Sequence, residues 1–303
     1  DLRSRAELFL APTSQCHSSA GRKIIRKTAR EYIVTFMLID IGANLTHDSF
    51  DHDFDDVLRR AHDAGVTQMV VTGASMQGSE QAAELANQHE QLFATAGIHP
   101  HHAEETSREA LATLKGLLET DRVKAVGETG LDFFRDFSPR PAQIKSLEQH
   151  IELAIETNLP MFLHERDAHP VFADVLSGYR DNLGDLVVHC FTGEKEALYA
   201  YLDLDCHIGI TGWICDERRG QHLLTMVRDI PGERLMIETD APYLMPRNIK
   251  PKPKTRRNEP QYLNVVCETV AECRGASIEE VASQTTHNAR RFFDLPAPQD
   301  KQT

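Results

Sequence analysis

Along the chain, short apolar runs alternate with longer stretches whose apolar positions recur at helical spacing. The runs fall at residues 37–41, 68–72, 92–96, 124–127, 161–163, 186–188, 207–211 and 235–237. Such short, nearly continuous apolar runs predict strands buried on both faces. Helical periodicity occupies 54–64, 79–88, 108–119, 143–157, 170–179, 195–202 and 220–228, then 260–273 after the last run and 278–293 at the end. Eight β-runs separated by helices, in about 250 residues, is the count and size of an α/β protein of the (β/α)8 or TIM-barrel class. An open doubly wound sheet is the alternative, but no Gly-x-Gly-x-x-Gly follows the first run. No internal repeat and no low-complexity tract interrupts the alternation.

Residues 1–36 stand outside this pattern. They carry seven lysines and arginines against three acidic residues, with no clear amphipathic period. That composition suits an organelle transit segment. The favoured reading is a non-native or disordered leader ahead of a natural start at Met37. The expected organisation is therefore a leader at 1–36, a single catalytic barrel at 37–296 and a tail at 297–303. The chain has 303 residues, 41% hydrophobic and 26% charged, ordinary for a soluble enzyme. No apolar run approaches the roughly 20 residues of a membrane-spanning helix, so no membrane is expected. Six irregularly spaced cysteines, with no Cys-x-x-Cys pair, fit reduced thiols and a cytoplasmic location. A net charge of −13 argues against a surface built for nonspecific polyanion binding, but not against a local basic groove.

In a barrel, reactive groups sit at the C-terminal ends of the strands. Those ends read Asp40, His99, Glu128, His164, His189 and Asp240. A lone histidine there is more often structural, satisfied by a backbone carbonyl. Several imidazoles and carboxylates around one axis make a mixed nitrogen and oxygen site for a divalent cation. Such an ion lowers the pKa of bound water and polarises a phosphoryl or carbonyl oxygen. Glu128 stands out, because it follows Val123-Lys124-Ala125-Val126 between Gly127 and Gly130, an odd place for a merely solvated carboxylate.

The segment after the eighth run, Lys250-Pro251-Lys252-Pro253-Lys254-Thr255-Arg256-Arg257, is strongly basic in an otherwise acidic chain. A charge run is usually a solvated loop, but its place on the catalytic rim favours phosphate contacts. Arg218 and Arg219 follow the seventh run and Arg135 the fourth. Phe133, Phe134, Phe191, Trp213 and Tyr243 share that rim and are candidates to stack bases or to pack loops. His47, His52, His101 and His102 lie on polar loops and are assigned no chemistry.

Five stretches then carry a resemblance: Gly97-Ile98-His99-Pro100-His101, Gly127-Glu128-Thr129-Gly130-Leu131-Asp132, His189-Cys190-Phe191-Thr192-Gly193, Glu238-Thr239-Asp240-Ala241-Pro242-Tyr243-Leu244 and Arg257-Asn258-Glu259-Pro260. In this order they resemble the TatD family of metal-dependent deoxyribonucleases, from about residue 37 to residue 293. The resemblance implies a TIM-barrel fold of the metal-dependent amidohydrolase-like kind. It further implies 3′→5′ exonucleolytic hydrolysis of single-stranded DNA, with RNA as an alternative substrate and DNA repair or degradation as the role. Magnesium is the implied cofactor, with manganese and zinc as alternatives. By motif, Glu128, His164, His189 and Asp240 resemble the metal ligands. Glu128, Asp240 and His99 resemble the catalytic groups, with Asp240 as general base and His99 holding the substrate phosphate or assisting the leaving oxygen. Lys250, Lys252, Lys254, Arg256, Arg257 and Arg218 are the expected substrate-binding residues, and a monomer is the expected state.

The family at large opens with Asp-x-His-x-His, whereas this chain reads Asp40-Ile41-Gly42-Ala43-Asn44. Gly42 and Asn44 replace two imidazoles, which leaves one metal or two open and shifts the ligands toward oxygen, suiting magnesium or manganese. The competing function is a metal-dependent amidohydrolase or esterase acting on a small molecule with the same barrel and ligands. An inactive scaffold is a third possibility, against which the intact ligand set speaks.

Overall fold

The computed structural model describes residues 36–297. The leader expected at 1–36 and the tail expected at 297–303 lie, apart from Phe36 and Ala297, outside the described residues. Eight parallel strands form one sheet in chain order: β1 (Leu38–Ala43), β2 (Val66–Val71), β3 (Leu92–Ala96), β4 (Val123–Asp132), β5 (Met161–Arg166), β6 (Leu186–Val188), β7 (His207–Ile210) and β8 (Leu235–Ile237). Between them run α1 (Phe54–Asp63), α2 (Met76–Gln88), α3 (Arg108–Leu118), α4 (Arg140–Thr157), α5 (His169–Tyr179), α6 (Lys195–Asp203) and α7 (Leu223–Met226). After β8 come α8 (Leu263–Arg274) and α9 (Ile278–Phe292).

The last strand returns to the first, which makes the sheet a nearly closed barrel. The Asp240 N–H donates to the Gly42 carbonyl at 2.8 Å and the Asn44 N–H to the Ala241 carbonyl at 2.7 Å. The Asp40 carboxylate adds a side-chain stitch, accepting the Thr239 N–H at 2.9 Å and the Thr239 hydroxyl.

Strand alternation sorts the core into two layers. Ile39, Ile41, Val70, Phe93, Ala125, Phe162, Val187 and Met236 form one buried cluster with Ala289, Phe292, Phe293 and Leu295 at the end of the chain. Leu38, Met69, Val71, Leu92 and Ala94, in alternation with these, belong to the larger cluster under the helices. Asn288 on α9 donates to the Gly232 and Leu235 carbonyls at 2.7 and 2.8 Å, at the start of β8. The terminal helix therefore plugs the N-terminal end of the barrel, and the opposite end is left for chemistry. No helix of the described residues is long and apolar enough to cross a membrane.

Two elements differ from the sequence pattern. β4 continues beyond Gly127 to Asp132, because Thr129, Gly130, Leu131 and Asp132 pair with Leu163, His164, Glu165 and Arg166 of β5. Gly130 has φ 151°, and a Cβ there would lie 1.9 Å from the His164 carbonyl oxygen. Glycine is what lets the two strands approach. The helix expected over 220–228 shrinks to α7. The residues before it wind around the buried Asp216 carboxylate, which accepts the Arg218 and Arg219 N–H groups at 2.9 and 3.3 Å.

Candidate active site

Glu128 lies within β4 at the open end of the barrel, and three imidazoles converge on one of its oxygens. Its Oε1 is 2.7 Å from His189 Nε2, 3.0 Å from His164 Nδ1 and 3.4 Å from His99 Nε2. His164 is on β5, His189 directly follows β6, and His99 lies in the turn after β3. Glu128 is 6% exposed and His189 4%.

What separates the three rings is the group on the far nitrogen. His164 Nε2 faces Asp132 Oδ2 at 3.6 Å, and His189 Nδ1 faces Glu238 Oε2 at 3.4 Å. A carboxylate behind an imidazole favours the proton on the far nitrogen, the arrangement in which the near nitrogen can face a cation. His99 is wired the other way. Its Nδ1 accepts the His101 N–H at 3.1 Å, so the proton of the neutral ring sits on Nε2. His99, Glu128 and His164 offer ligand atoms within 4.8 Å of one another, but this hydrogen bond makes His99 a donor toward whatever lies against Glu128. Asp132 is itself fixed, accepting from Phe134 N–H at 3.1 Å and Arg135 N–H at 2.8 Å, with His101 Nε2 at 2.7 Å.

The electrostatics follow that wiring. Burial pushes the Glu128 carboxyl up, but the charged His189 ring and the hydrogen bonds from His164 and His189 outweigh it and hold the group well below its ordinary value. Burial lowers His189, yet the Glu128 and Glu238 carboxylates carry it well above the ordinary imidazole value. His164 is raised against burial by Asp132 and Glu128. For His99 burial wins and the ring stays neutral. His164 Nε2, His189 Nδ1 and Glu238 Oε2 are buried without a hydrogen-bond partner. One carboxylate oxygen and the near nitrogens of two backed imidazoles make a donor set that suits a divalent cation.

Asp240 follows β8 with φ 55°, a strained conformation of the kind that gathers at functional sites. Its Oδ1 accepts from Asn44 Nδ2 at 2.8 Å. Burial lifts its carboxyl to about 7, with the His189 charge opposing. Asn44, at one of the two positions where the resemblance leads one to expect histidine, thus holds Asp240. Gly42, the other, makes room for Glu238: a Cβ at Gly42 would lie 2.4 Å from Glu238 Oε2, and one at Gly209 would lie 2.5 Å from Oε1. The Glu238 carboxylate, 0% exposed, fills the space that a side chain at position 42 needs.

The remaining expected residues divide. Asp40 stays in the β1–β8 seam and does not join the cluster. Lys250, Lys252, Lys254 and Arg256 are exposed, and Arg218 is exposed 3.9 Å from Asp216. Arg257, also expected to bind substrate, sits in a brace. It is half-buried, pairs with Asp53 and Glu259 at 2.8 Å each, and Arg60 closes the square at 2.8 Å to both carboxylates. Glu238, Asp132, His101 and Arg166 were not assigned roles from sequence. Glu238 directly follows the eighth apolar run, so the strand-end rule that picks out Asp240 also picks out Glu238. Asp132 carries no such signal unless β4 is known to continue.

Comparison with known proteins adds to this geometry. Residues 39–294 match the family described as TatD related DNase. The chain is 48% identical over 259 residues to a 3'-5' ssDNA/RNA exonuclease TatD of Pantoea ananatis, covering 85% of this chain and 100% of that one. It is 43% identical over 258 residues to the protein of that name from Salmonella typhimurium, covering 85% and 99%. Among solved structures, the TatD homolog YjjV of Escherichia coli superposes with a TM-score of 0.78 at 28% identity, covering 86% of this chain and 98% of that one. A TatD family hydrolase of Entamoeba histolytica gives the same score and identity, with 86% and 99% covered.

Proposed function

The chain belongs to the TatD related DNase family, and from that premise we propose that it is a metal-dependent 3′-5′ exonuclease acting on single-stranded DNA, with RNA as a second substrate. The observation that carries the chemistry is the wiring of His164 and His189 as ligands, with His99 as a donor, around the buried Glu128. Glu128, His164, His189 and Asp240 would hold the cation. The ion supplies an acidified water and polarises the phosphoryl oxygens. We assign magnesium to the site, with manganese and zinc as alternatives that bind imidazole more tightly.

The protein's own groups divide the remaining work. Asp240 Oδ1 is held by Asn44, which leaves Oδ2 to orient the attacking water and take its proton. His99 Nε2–H donates to a phosphoryl oxygen as negative charge grows there. Asp132 and Glu238 keep the ligand rings in the required tautomer. Lys250, Lys252, Lys254, Arg256 and Arg218 contact phosphates away from the reacting one. A cytoplasmic monomer serving DNA repair or degradation completes the proposal. The five unpaired cysteines among the described residues support a reducing compartment.

The test is degradation of 3′-labelled and 5′-labelled oligonucleotides, single- and double-stranded, linear and circular, in magnesium with and without chelator. Linear single strands should shorten from the 3′ end and circles should resist. Undiminished turnover in excess chelator would overturn metal dependence. Equal rates on circles and linear strands would overturn the exonuclease assignment. No cleavage, with hydrolysis of small amides, would give the function to an amidohydrolase.

A further inference from the structure

We propose that Phe134, Arg135, Arg166, Trp213 and Arg219 form a stacking track on which a single strand lies as its end enters the site. The proposal rests on the nuclease assignment and names the surface that would grip the substrate. Arg166 is the centre of this track. It stands two residues after His164 on β5, so the two side chains leave the same face of the strand. Its carbonyl accepts the Phe133 N–H at 2.9 Å, tying the β4 loop to the β5 end.

The rungs come from three loops and interleave. The Arg166 guanidinium lies 4.9 Å from the Phe134 ring centre and 5.1 Å from that of Trp213. Arg135 lies 5.5 Å from Phe134 on one side, and Arg219 lies 4.2 Å from Trp213 on the other. The Trp213 ring is oriented by its Nε1–H to the Arg219 carbonyl at 3.3 Å. Phe134 is 55% exposed, which leaves part of its ring open to solvent.

Charge points the same way. Arg219 is neutralised by Asp216 at 2.9 Å. Arg135 has no carboxylate partner among the described residues, and Arg166 has only Asp167, at 3.9 Å. Two guanidiniums with free charge, set among flat rings in a chain of net charge −13, suit a polyanion whose repeating unit also has a flat face. Every base has such a face, so the grip is independent of sequence, as trimming of arbitrary strands needs. The basic segment of Lys250 to Arg256 has charge without interleaved rings, so it can read phosphates but not bases.

Trp213 is the only tryptophan of the chain, so its fluorescence reports on the track alone. The full chain in excess chelator is titrated with a ten-nucleotide oligothymidylate and with an abasic strand of the same length. Quenching by the first, and affinity about tenfold lower for the second, are expected, since stacking contributes about 1–3 kcal/mol per base. With a dye-labelled strand and anisotropy, Arg166→Ala and Trp213→Ala should each weaken binding about tenfold, and Trp213→Phe should restore it. Equal affinity for abasic and base-bearing strands, or both alanine variants within twofold of the parent, would overturn the track. If magnesium-dependent cleavage persists in that case, only the track falls. Quenching without cleavage in any divalent metal would support the track and remove the nuclease assignment.

Discussion

Glu128 on β4 and Asp40 on β1 are both carboxylates on barrel strands near the open end, and both are withdrawn from water, at 6% and 0% exposure. Burial pushes each carboxyl up. At Glu128 the charged His189 ring and the hydrogen bonds from His164 and His189 overcome that push and hold the group ionised. At Asp40 the Thr239 hydroxyl, the Thr239 N–H and the Gly42 N–H fail to overcome it, and the carboxyl rises to about 7. The two sites teach that neutral dipoles and cationic partners are unequal answers to desolvation. A carboxylate held ionised by displaceable protons is ready for a cation. One held near neutrality is ready to be a seam.

The largest effect should come from breaking the first member of the pair. Glu128→Gln removes the charge on which three imidazoles converge and keeps the volume. Turnover in magnesium should fall by about 10²–10³-fold or more, the scale of losing one charge-stabilising group. The melting temperature should change little, because the neutral rings no longer need a counter-charge. Turnover within tenfold of the parent would mean that Glu128 is not central.

Much of this architecture is legible in sequence. β3, β6 and β8 are read at their observed bounds because polar residues flank β6 and β8, and Gln91 and Gly97 flank β3. β4 is read short because its second half, Glu128 to Asp132, is sparse in apolar side chains and is extended by pairing with β5 rather than by its own pattern. The strand-end rule brings Glu128, His164 and His189 to one place, since it depends only on register. It cannot say which nitrogen of a ring carries the proton. That depends on Asp132, Glu238 and the His101 N–H, contacts made between strands or within a turn. The same limit hides the brace around Arg257: a basic run looks uniform until Asp53, far away in sequence, claims one member of it.

A smaller effect should follow from loosening the carboxylate behind His189. Glu238→Gln leaves the shape but lets the ring take the wrong tautomer, so manganese affinity measured by calorimetry should fall about 10–100-fold. Gly42→Ala should mimic it from the other side, because the new Cβ meets Glu238 Oε2. Its stability cost should be about 1–3 kcal/mol, the usual scale of overpacking. The double variant Gly42→Ala with Glu238→Ala should recover much of that stability and none of the affinity. Additive losses of stability would show that the two residues do not share the space.

The smallest effect on turnover should come from Asp40→Asn, which sharpens the other side of the comparison. The unfolded chain releases this proton near 3.8, while the folded chain keeps it to about 7. Between those values the native state holds the extra proton, so stability falls as pH rises, by roughly 1.4 kcal/mol per pH unit from this group alone. Below 3.8 and above about 7 the two states match, and no further change arises from it. Asparagine copies the protonated acid. Its Oδ1 can accept the Thr239 and Gly42 N–H groups, and its Nδ2–H can donate to the Thr239 hydroxyl, which already accepts the Ala241 N–H at 3.2 Å. The variant should therefore match the parent in urea midpoint near pH 4 and exceed it at pH 8, with turnover close to the parent's. Other buried acids such as Asp240 titrate in both proteins, so the difference between the two profiles isolates position 40. An asparagine variant equally destabilised at both pH values would mean that Asp40 is ionised in the fold. The seam would then be held by a charge after all, and the contrast with Glu128 would be one of partners rather than of protonation.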